Sequence, residues 1–245
     1  MKTFKEFIEE KVEENIIPYT ERPKEEKEII DKYDKKMKSK DWKEVYDEDD
    51  HWMEGMKPCP LAMELDKDLK RMDIKKADIL EIGTGNGRDS IFLAKKGNKV
   101  TGIDIAEQPI KIAKKNAKGI DNIKFQVGKA EKLEFDDESF DAVYSVAALH
   151  SSIIYDTFAE IYRVLKPGGI VKLFLYTKTK FGKRWTYYWS PEQIKSAAEG
   201  IGFKIMKFRT GHNMDKMEIP ETEGEIEQNS YLAITTFKKP TNDKK

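Results

Sequence analysis

The stretch LEIGTGNGRDS, residues 80–90, decides the fold because it joins an apolar strand to a helix through three glycines. The residues ADILEIG form the kind of apolar run that is typical of a buried strand. Glu81 precedes glycines at 83, 85 and 87, so the spacing is E-x-G-x-G-x-G. Because glycine has no side chain and tolerates left-handed backbone, such a loop lets the main chain approach a ligand closely.

Strand and helix patterns alternate on the carboxyl side of this loop. The predicted strands are ADILEIG, KVTGIDI, IKFQVG, FDAVYSVAAL and IVKLFLY, followed by FKIMKF and SYLAITTF as an antiparallel pair. The predicted helices are RDSIFLAKKG, QPIKIAKKNAKG, a helix with Phe158, Ile161, Tyr162 and Leu165 on one face, and the serine-capped SPEQIKSAAEG. The alternation predicts an α/β, Rossmann-like, seven-stranded, mostly parallel sheet with helices on both faces and an N-terminal helical extension.

The composition narrows the class of protein. The 245 residues carry 45 basic and 45 acidic side chains, so no global field attracts nucleic acid or an anionic membrane. The start MKTFKEFIEEKVEE lacks the apolar core of a signal peptide, and no apolar run approaches the roughly 18 residues of a membrane span. A single cysteine, Cys59, excludes an internal disulfide. We expect a cytoplasmic protein.

Three segments differ in composition. Residues 1–55 are charge-dense and predict a helical extension or lid, residues 56–240 carry the alternating pattern, and residues 241–245 predict a disordered tail. The acidic run DEDDH, residues 47–51, lacks the turn glycine of a calcium loop. It therefore favours a solvated stretch, and no metal is expected.

The glycine spacing distinguishes two kinds of nucleotide loop. In the dinucleotide pattern G-x-G-x-x-G the third glycine would fall at 88 or 90, where the chain has Arg88 and Ser90. S-adenosylmethionine, which has no phosphate, carries an ammonium and a positively charged sulfur, and a carboxylate such as Glu81 suits that end. Asp104, 21 residues after Gly83, is placed to accept hydrogen bonds from ribose hydroxyls of either nucleotide.

Residues 75–209 resemble a class I S-adenosylmethionine-dependent methyltransferase of the type 11 kind. Five features match in order: ILEIGTGNGRDSIFLA, VTGIDIA, VGKAEKLEFDDESFDAVYSVAALH, IYRVLKPGGIVKL and SPEQIKSAAEGIGF. The runs GNGRDSIFLAKKG and HWMEGMKPCPLAMEL are also similar to the tellurite-resistance and thiopurine methyltransferase subgroup, in which an N-terminal tryptophan segment folds over the cofactor. The resemblance implies S-adenosyl-L-methionine as the cofactor.

The resemblance also implies where the cofactor binds. The acid of GIDIA binds ribose, the segment after the third strand borders the adenine, and the loop after the fourth strand faces the methionine end. The predicted cofactor-binding residues are Glu81, Gly83, Thr84, Gly85, Asn86, Gly87, Arg88, Asp104, Ile105, Lys129, Ala130, Glu131 and Ser145.

Methyl transfer needs an aligned acceptor and a dry site, and it needs a general base only if the acceptor starts protonated. His150 follows the fourth strand and could be that base, or it could pack or cap the loop. The sequence SVAALHSS lacks the N/D-P-P-Y/F motif of enzymes that methylate exocyclic amines of bases or glutamine. Cys59, far upstream, does not suit the methylation of a cytosine ring.

Two segments with aromatic residues bear on the class of substrate: residues 177–190 and the segment that contains Trp52. Residues 177–190, TKTKFGKRWTYYWS, mix aromatics with cations, a combination that can stack nucleobases or wall a pocket for a small molecule. The balanced charge favours a small-molecule methyl acceptor. The alternatives are an RNA methyltransferase and a non-catalytic adenosylmethionine-binding protein. The residues predicted to form a lid over the sulfur are Trp52, Trp185, Tyr188 and Trp189. The N-terminal helices could instead cover a sheet edge or a helix face.

Overall fold

The computed structural model describes residues 57–149, 152–181, 184–187, 189–212 and 230–241, with residues 178–181, 184–187, 212 and 230–232 described by their backbone. All of these residues belong to the compact unit His51–Lys245. The predicted N-terminal extension, residues 1–55, lies outside the described residues, and so does the predicted tail apart from Thr241. None of the described helices is long and apolar enough to cross a membrane.

Five helices and eight strands make up the described part of the chain. The helices are α1 (Pro60–Arg71), α2 (Arg88–Lys95), α3 (Glu107–Asn116), α4 (Ile154–Val164) and α5 (Pro191–Ile201). The strands are β1 (Asp78–Ile82), β2 (Lys99–Asp104), β3 (Ile123–Val127), β4 (Phe140–Val146), β5 (Leu165–Phe181), β6 (Arg184–Tyr187), β7 (Lys204–His212) and β8 (Ser230–Lys238).

The strands form one sheet in the order β3-β2-β1-β4-β5-β8-β7, and β6 pairs with β5 beside this path. The neighbours from β3 to β5 are parallel, whereas β8 is antiparallel to both β5 and β7. The predicted Rossmann-like, mostly parallel sheet is confirmed, with β6 as a strand beyond the seven predicted. Chain order reverses between β1 and β4, and open sheets of this type bind ligands at the carboxyl ends of strands near such a point.

Two apolar layers cover the two faces of the sheet. Ile79 of β1 packs in one cluster with Leu65 of α1 and Leu93 of α2, and Ile234 of β8 belongs to the same cluster. On β8, the residue at 237 is an odd number of positions from Ile234, so it faces the opposite side of the strand. This residue, Phe237, meets Phe158 of α4 with ring centroids 5.7 Å apart. Helices therefore lie on both faces, as predicted.

Helix α5 begins with the capping box that its sequence predicts. The Ser190 Oγ accepts a hydrogen bond from the Gln193 amide at 3.2 Å, and the Gln193 Oε1 accepts one from the Ser190 amide at 2.8 Å. The helix ends before Gly202, whose φ of 109° lies in the left-handed region that glycine tolerates.

The aromatic segment of residues 177–190 contains strand structure that is not among the predicted strands. Strand β5 continues to Phe181, and β6 pairs with it antiparallel, with Trp185 opposite Lys180. The segment KPGG, which precedes the predicted strand IVKLFLY, lies within β5, where the pairing with β4 shifts register. The β-branched and aromatic residues of TKTKF and RWTY suit a strand as well as a loop, which explains the hairpin.

Candidate functional site

The glycine loop between β1 and α2 lies at the carboxyl edge of the sheet. Gly83, Gly85 and Gly87 have φ angles of +76°, +54° and +82°, in the region where a side chain is strained. The Gly83 amide donates to the Ile103 carbonyl oxygen at 2.8 Å, which fixes the loop to β2. The three predicted glycines therefore give the loop a shape that other residues disfavour.

The segment after β4 lies against the start of this loop. A Cβ placed on Gly83 would lie 2.2 Å from the Ala148 Cβ, so no side chain fits at Gly83. Ala147 itself has a φ of +53°, and its amide donates to the Phe174 carbonyl oxygen at 2.9 Å. The chain turns at Ala147 and brings its next residue over the glycine loop.

Asp104 joins β2 to the glycine loop. Its Oδ2 accepts from the Gly85 amide at 3.0 Å, and its Oδ1 accepts from the Ala106 amide at 3.1 Å. Burial raises the pKa of Asp104, and the hydrogen bonds from backbone amides oppose that rise. The next residue, Ile105, is 57% exposed and places an apolar side chain at the same edge.

The carboxyl group of Glu81 is buried among residues of the loop and of α2. It accepts hydrogen bonds from the Thr84 Oγ1 at 3.0 Å and from the Ser90 Oγ, and both donors are neutral hydroxyls. Burial, and secondly the nearby Asp89 carboxylate, raise the pKa of Glu81 to about 8. Burial therefore favours the neutral form of the Glu81 carboxyl, whereas its predicted role toward a cation requires the ionised form. A role for Glu81 toward a ligand stays a prediction.

The predicted residues at the end of the loop bind one another. The Arg88 amide donates to the Asn86 Oδ1 at 3.1 Å, and the Asn116 Nδ2 donates to the Asn86 carbonyl oxygen at 3.1 Å. The Arg88 guanidinium forms an ion pair with Asp89, with 2.7 Å between Nη2 and Oδ2. Asn86 and Arg88 thus shape the loop where it enters α2.

The segment after β3 also lies at the carboxyl edge of the sheet. The Gly128 amide donates to the Asp104 carbonyl oxygen at 2.9 Å, which sets this segment beside β2. Lys129, followed by the buried Ala130, pairs with Lys132 in an isolated antiparallel bridge. The Glu131 Oε1 accepts from the backbone amide of residue 153 at 3.2 Å. The segment is therefore tied to β2 and to the residue before α4.

Ser145 has a different environment from the rest of the predicted set. Its side chain is fully buried, and its Oγ donates to the Ile82 carbonyl oxygen at 2.8 Å. The hydroxyl therefore links β4 to β1 and is not exposed at the edge. Ala148, two positions after the end of β4, lies beside the glycine loop instead.

The other predicted residues are only partly described. His150, Trp52 and Tyr188 lie outside the described residues, and Trp185 is described by its backbone within β6. The Trp189 ring meets Phe158 of α4 edge to face, with centroids 6.1 Å apart. The predicted lid and the predicted base remain predictions. In the part of the chain that the structure describes, no three His, Cys, Asp or Glu side chains are grouped to hold a metal ion.

Two residues of this region were not among the predicted site residues. Asp89 is 2% exposed and Tyr144 is fully buried, and the Tyr144 hydroxyl donates to the Asp89 Oδ2 at 3.0 Å. They are 55 positions apart, so no local pattern joins them. The only sign of this pair in the sequence was the acidic residue directly after Arg88, at the start of a predicted helix.

Comparisons with known proteins agree with this geometry. A family model described as a methyltransferase domain matches residues 79–169. Phthiotriol/phenolphthiotriol dimycocerosates methyltransferase of Mycobacterium tuberculosis is 37% identical over 102 residues, which cover 40% of this chain and 37% of that protein. Ribosomal protein L11 methyltransferase of Dictyoglomus turgidum is 43% identical over 95 residues, 38% of this chain and 30% of that protein. The chain spans about a third of the length of these curated relatives.

Solved structures share the fold of most of the chain. The crystal structure of the cyclase SpnF matches with a TM-score of 0.60 at 20% identity, and the match covers 74% of this chain and 82% of that chain. At this identity the likeness shows the fold alone. The family match runs from β1 to the start of β5 and so includes the glycine loop and Asp104. Residues 79–169 thus match a methyltransferase domain, and with the glycine motif and the strand order this match supports the predicted resemblance to the class I S-adenosylmethionine-dependent methyltransferases.

Proposed function

We propose that this protein transfers the methyl group of S-adenosyl-L-methionine to a small-molecule acceptor. One observation carries the proposal: the Asp104 carboxylate and the Gly85 amide are hydrogen-bonded at the carboxyl edge where chain order reverses. This edge is where open α/β sheets bind nucleotides.

The described residues fit an adenosine ligand. A carboxylate offers about four acceptor sites, and those of Asp104 not used by backbone amides can accept from a ribose hydroxyl. Ile105 and Val127 are exposed apolar side chains at the ends of neighbouring strands, and an adenine ring is a suitable partner for such surface. The close approach of Ala148 to Gly83 brings the segment after β4 beside the glycine loop, where the methionine end is expected.

The chemistry asks little of the protein beyond alignment. When bound, S-adenosylmethionine supplies an electrophilic methyl group on a positively charged sulfur. A lone pair of the acceptor forms the new bond to the methyl carbon while the carbon–sulfur bond breaks, which leaves S-adenosylhomocysteine. The glycine loop and Asp104 orient the donor, and His150 takes a proton where the acceptor has one to lose.

The balanced charge of the chain supports a small acceptor over nucleic acid. The two curated relatives described above are named for phthiotriol/phenolphthiotriol dimycocerosates and for ribosomal protein L11, so their names do not point to one class of acceptor. The acceptor class therefore rests on the charge argument and on the aromatic segment around β6.

Two measurements test the proposal. Calorimetry should show binding of S-adenosylmethionine and S-adenosylhomocysteine but not of NAD, and NAD binding in preference to either would overturn the cofactor assignment. Methyl-labelled cofactor should then be offered in parallel to a metabolite extract and to total RNA. Label in small molecules supports the proposal, label in RNA overturns the acceptor class, and cofactor binding without any transfer identifies a non-catalytic binding protein.

A further inference from the structure

A buried carboxylate next to the glycine loop has no part in the chemistry described above. Asp89 is 2% exposed, so its side chain does not reach a ligand. Its Oδ1 accepts from the Cys59 amide at 2.8 Å and from the Arg88 Nε at 2.8 Å. Its Oδ2 accepts from the Tyr144 hydroxyl at 3.0 Å and from the Arg88 Nη2 at 2.7 Å. Three separate stretches of chain thus meet at one carboxylate.

The first of these stretches is the N-terminus of α1. Cys59 precedes the helix and makes no side-chain capping bond, and Pro60 has no amide hydrogen. The Asp89 carboxylate, which lies on α2, accepts from the amide of Cys59 and so fixes the chain at the point where α1 begins. A negative charge at a helix N-terminus is favourable because it opposes the positive end of the helix dipole.

The second stretch is the end of the glycine loop. Gly87, the residue before α2, has no side chain that could cap the helix. Arg88 is therefore the first residue at this point whose side chain can be fixed by a hydrogen bond. Two parallel hydrogen bonds to a carboxylate fix a guanidinium in orientation as well as in position. The Arg88 amide also donates to the Asn86 Oδ1. Because Asp89 fixes Arg88, it also helps to fix Asn86 in the glycine loop.

The third stretch, Tyr144 of β4, anchors the carboxylate to the sheet. We propose that Asp89 is a positioning residue for the cofactor, which fixes the end of the glycine loop to the N-terminus of α1 without touching the cofactor. The proposal rests on the proposed function, because it concerns the affinity of the same site. In Asp89→Asn one oxygen becomes an amide nitrogen that cannot accept, and Arg88 loses its counter-charge.

The test compares this network with a similar one at the opposite end of the sheet. There Asp141 accepts from the Asp78 amide at 2.8 Å and from the Lys166 Nζ at 3.0 Å. Asp141→Asn therefore removes a comparable carboxylate far from the glycine loop. Calorimetry with S-adenosylhomocysteine and thermal unfolding are measured for the full chain and for Asp89→Asn, Tyr144→Phe and Asp141→Asn.

A positioning role and a merely structural role give different results. We expect Asp89→Asn to raise the Kd for S-adenosylhomocysteine about tenfold and Tyr144→Phe about threefold, with Asp141→Asn less stable but unchanged in Kd. A folded Asp89→Asn with the wild-type Kd overturns the proposal. If that variant does not fold, an unchanged Kd in Tyr144→Phe overturns it instead. Failure of the wild-type chain to bind S-adenosylhomocysteine contradicts the proposed function, which is a separate result.

Discussion

Single residues at the carboxyl edge serve both the fold and the proposed binding of the cofactor. The Asp104 carboxylate accepts main-chain hydrogen bonds within its own loop and is only 9% exposed. Because the carboxylate holds the Gly85 amide, we expect its loss to affect stability as well as binding.

Asp104→Ala should weaken the binding of S-adenosylhomocysteine by about 1.5–3 kcal/mol, since it removes hydrogen bonds to a charged group. It should also lower the free energy of unfolding, because the Gly85 amide loses its acceptor. Calorimetry and urea unfolding measure the two effects. Asp121→Ala, at an exposed position, is the control and should change neither. An unchanged dissociation constant in Asp104→Ala would place the ribose elsewhere.

The buried carboxyl of Glu81 makes stability depend on pH. Its pKa rises from the usual 4.5 to about 8 in the folded protein, so the folded state holds a proton that the unfolded state releases. The resulting stabilisation is fully present below the lower value and is lost as the pH rises through the upper one.

Glu81→Gln removes this titration while keeping a neutral side chain of the same shape. Urea unfolding of both proteins from about pH 5 to about pH 9 measures the difference in stability, wild type minus variant. We expect that difference to fall as the pH rises to about 8 and then to level off. A difference that stays constant would show that Glu81 is ionised in the folded protein at all these values.

At the scale of elements, local patterns predicted most of the strands and helices. The glycine spacing, the strand–helix alternation and the capping box of α5 depend on neighbours within a few residues. The β5–β6 hairpin was not predicted, because its residue types fit a loop equally well. At the site, the position of Asp104 followed from its offset after the glycines. The network of Asp89 did not, because its partner Cys59 is 30 positions away and Tyr144 is 55.

Ser190→Ala tests the one predicted helix cap. The substitution removes the acceptor for the Gln193 amide and should lower the free energy of unfolding by about 1 kcal/mol. Ser190→Asp keeps a good capping acceptor and should retain most of the stability. Urea unfolding distinguishes the two, and equal losses in both variants would show that the cap contributes nothing specific.

At the scale of the whole molecule, the role of the N-terminal segment can be tested by deletion. The segment is either a lid over the proposed active site or a cover for a sheet edge or a helix face. Deletion of residues 1–55 leaves every described helix and strand in the chain. If the segment with Trp52 is a lid, the truncated protein should fold but lose activity and the protection of the cofactor from solvent. Circular dichroism reports folding, and transfer of labelled methyl reports activity. Full activity in a folded truncation would contradict the lid.

Strand β8, the last of the described strands in chain order, lies between β5 and β7 within the sheet. During synthesis, the parallel part from β3 to β5 can therefore assemble first, whereas β7 has no partner until β8 has left the ribosome. Until then the nascent chain presents the unpaired edge of β5, and such an edge is a template for association with other chains. We infer that the nascent chain is most prone to aggregation late in translation. A pause of the ribosome before β8 is complete lengthens this period.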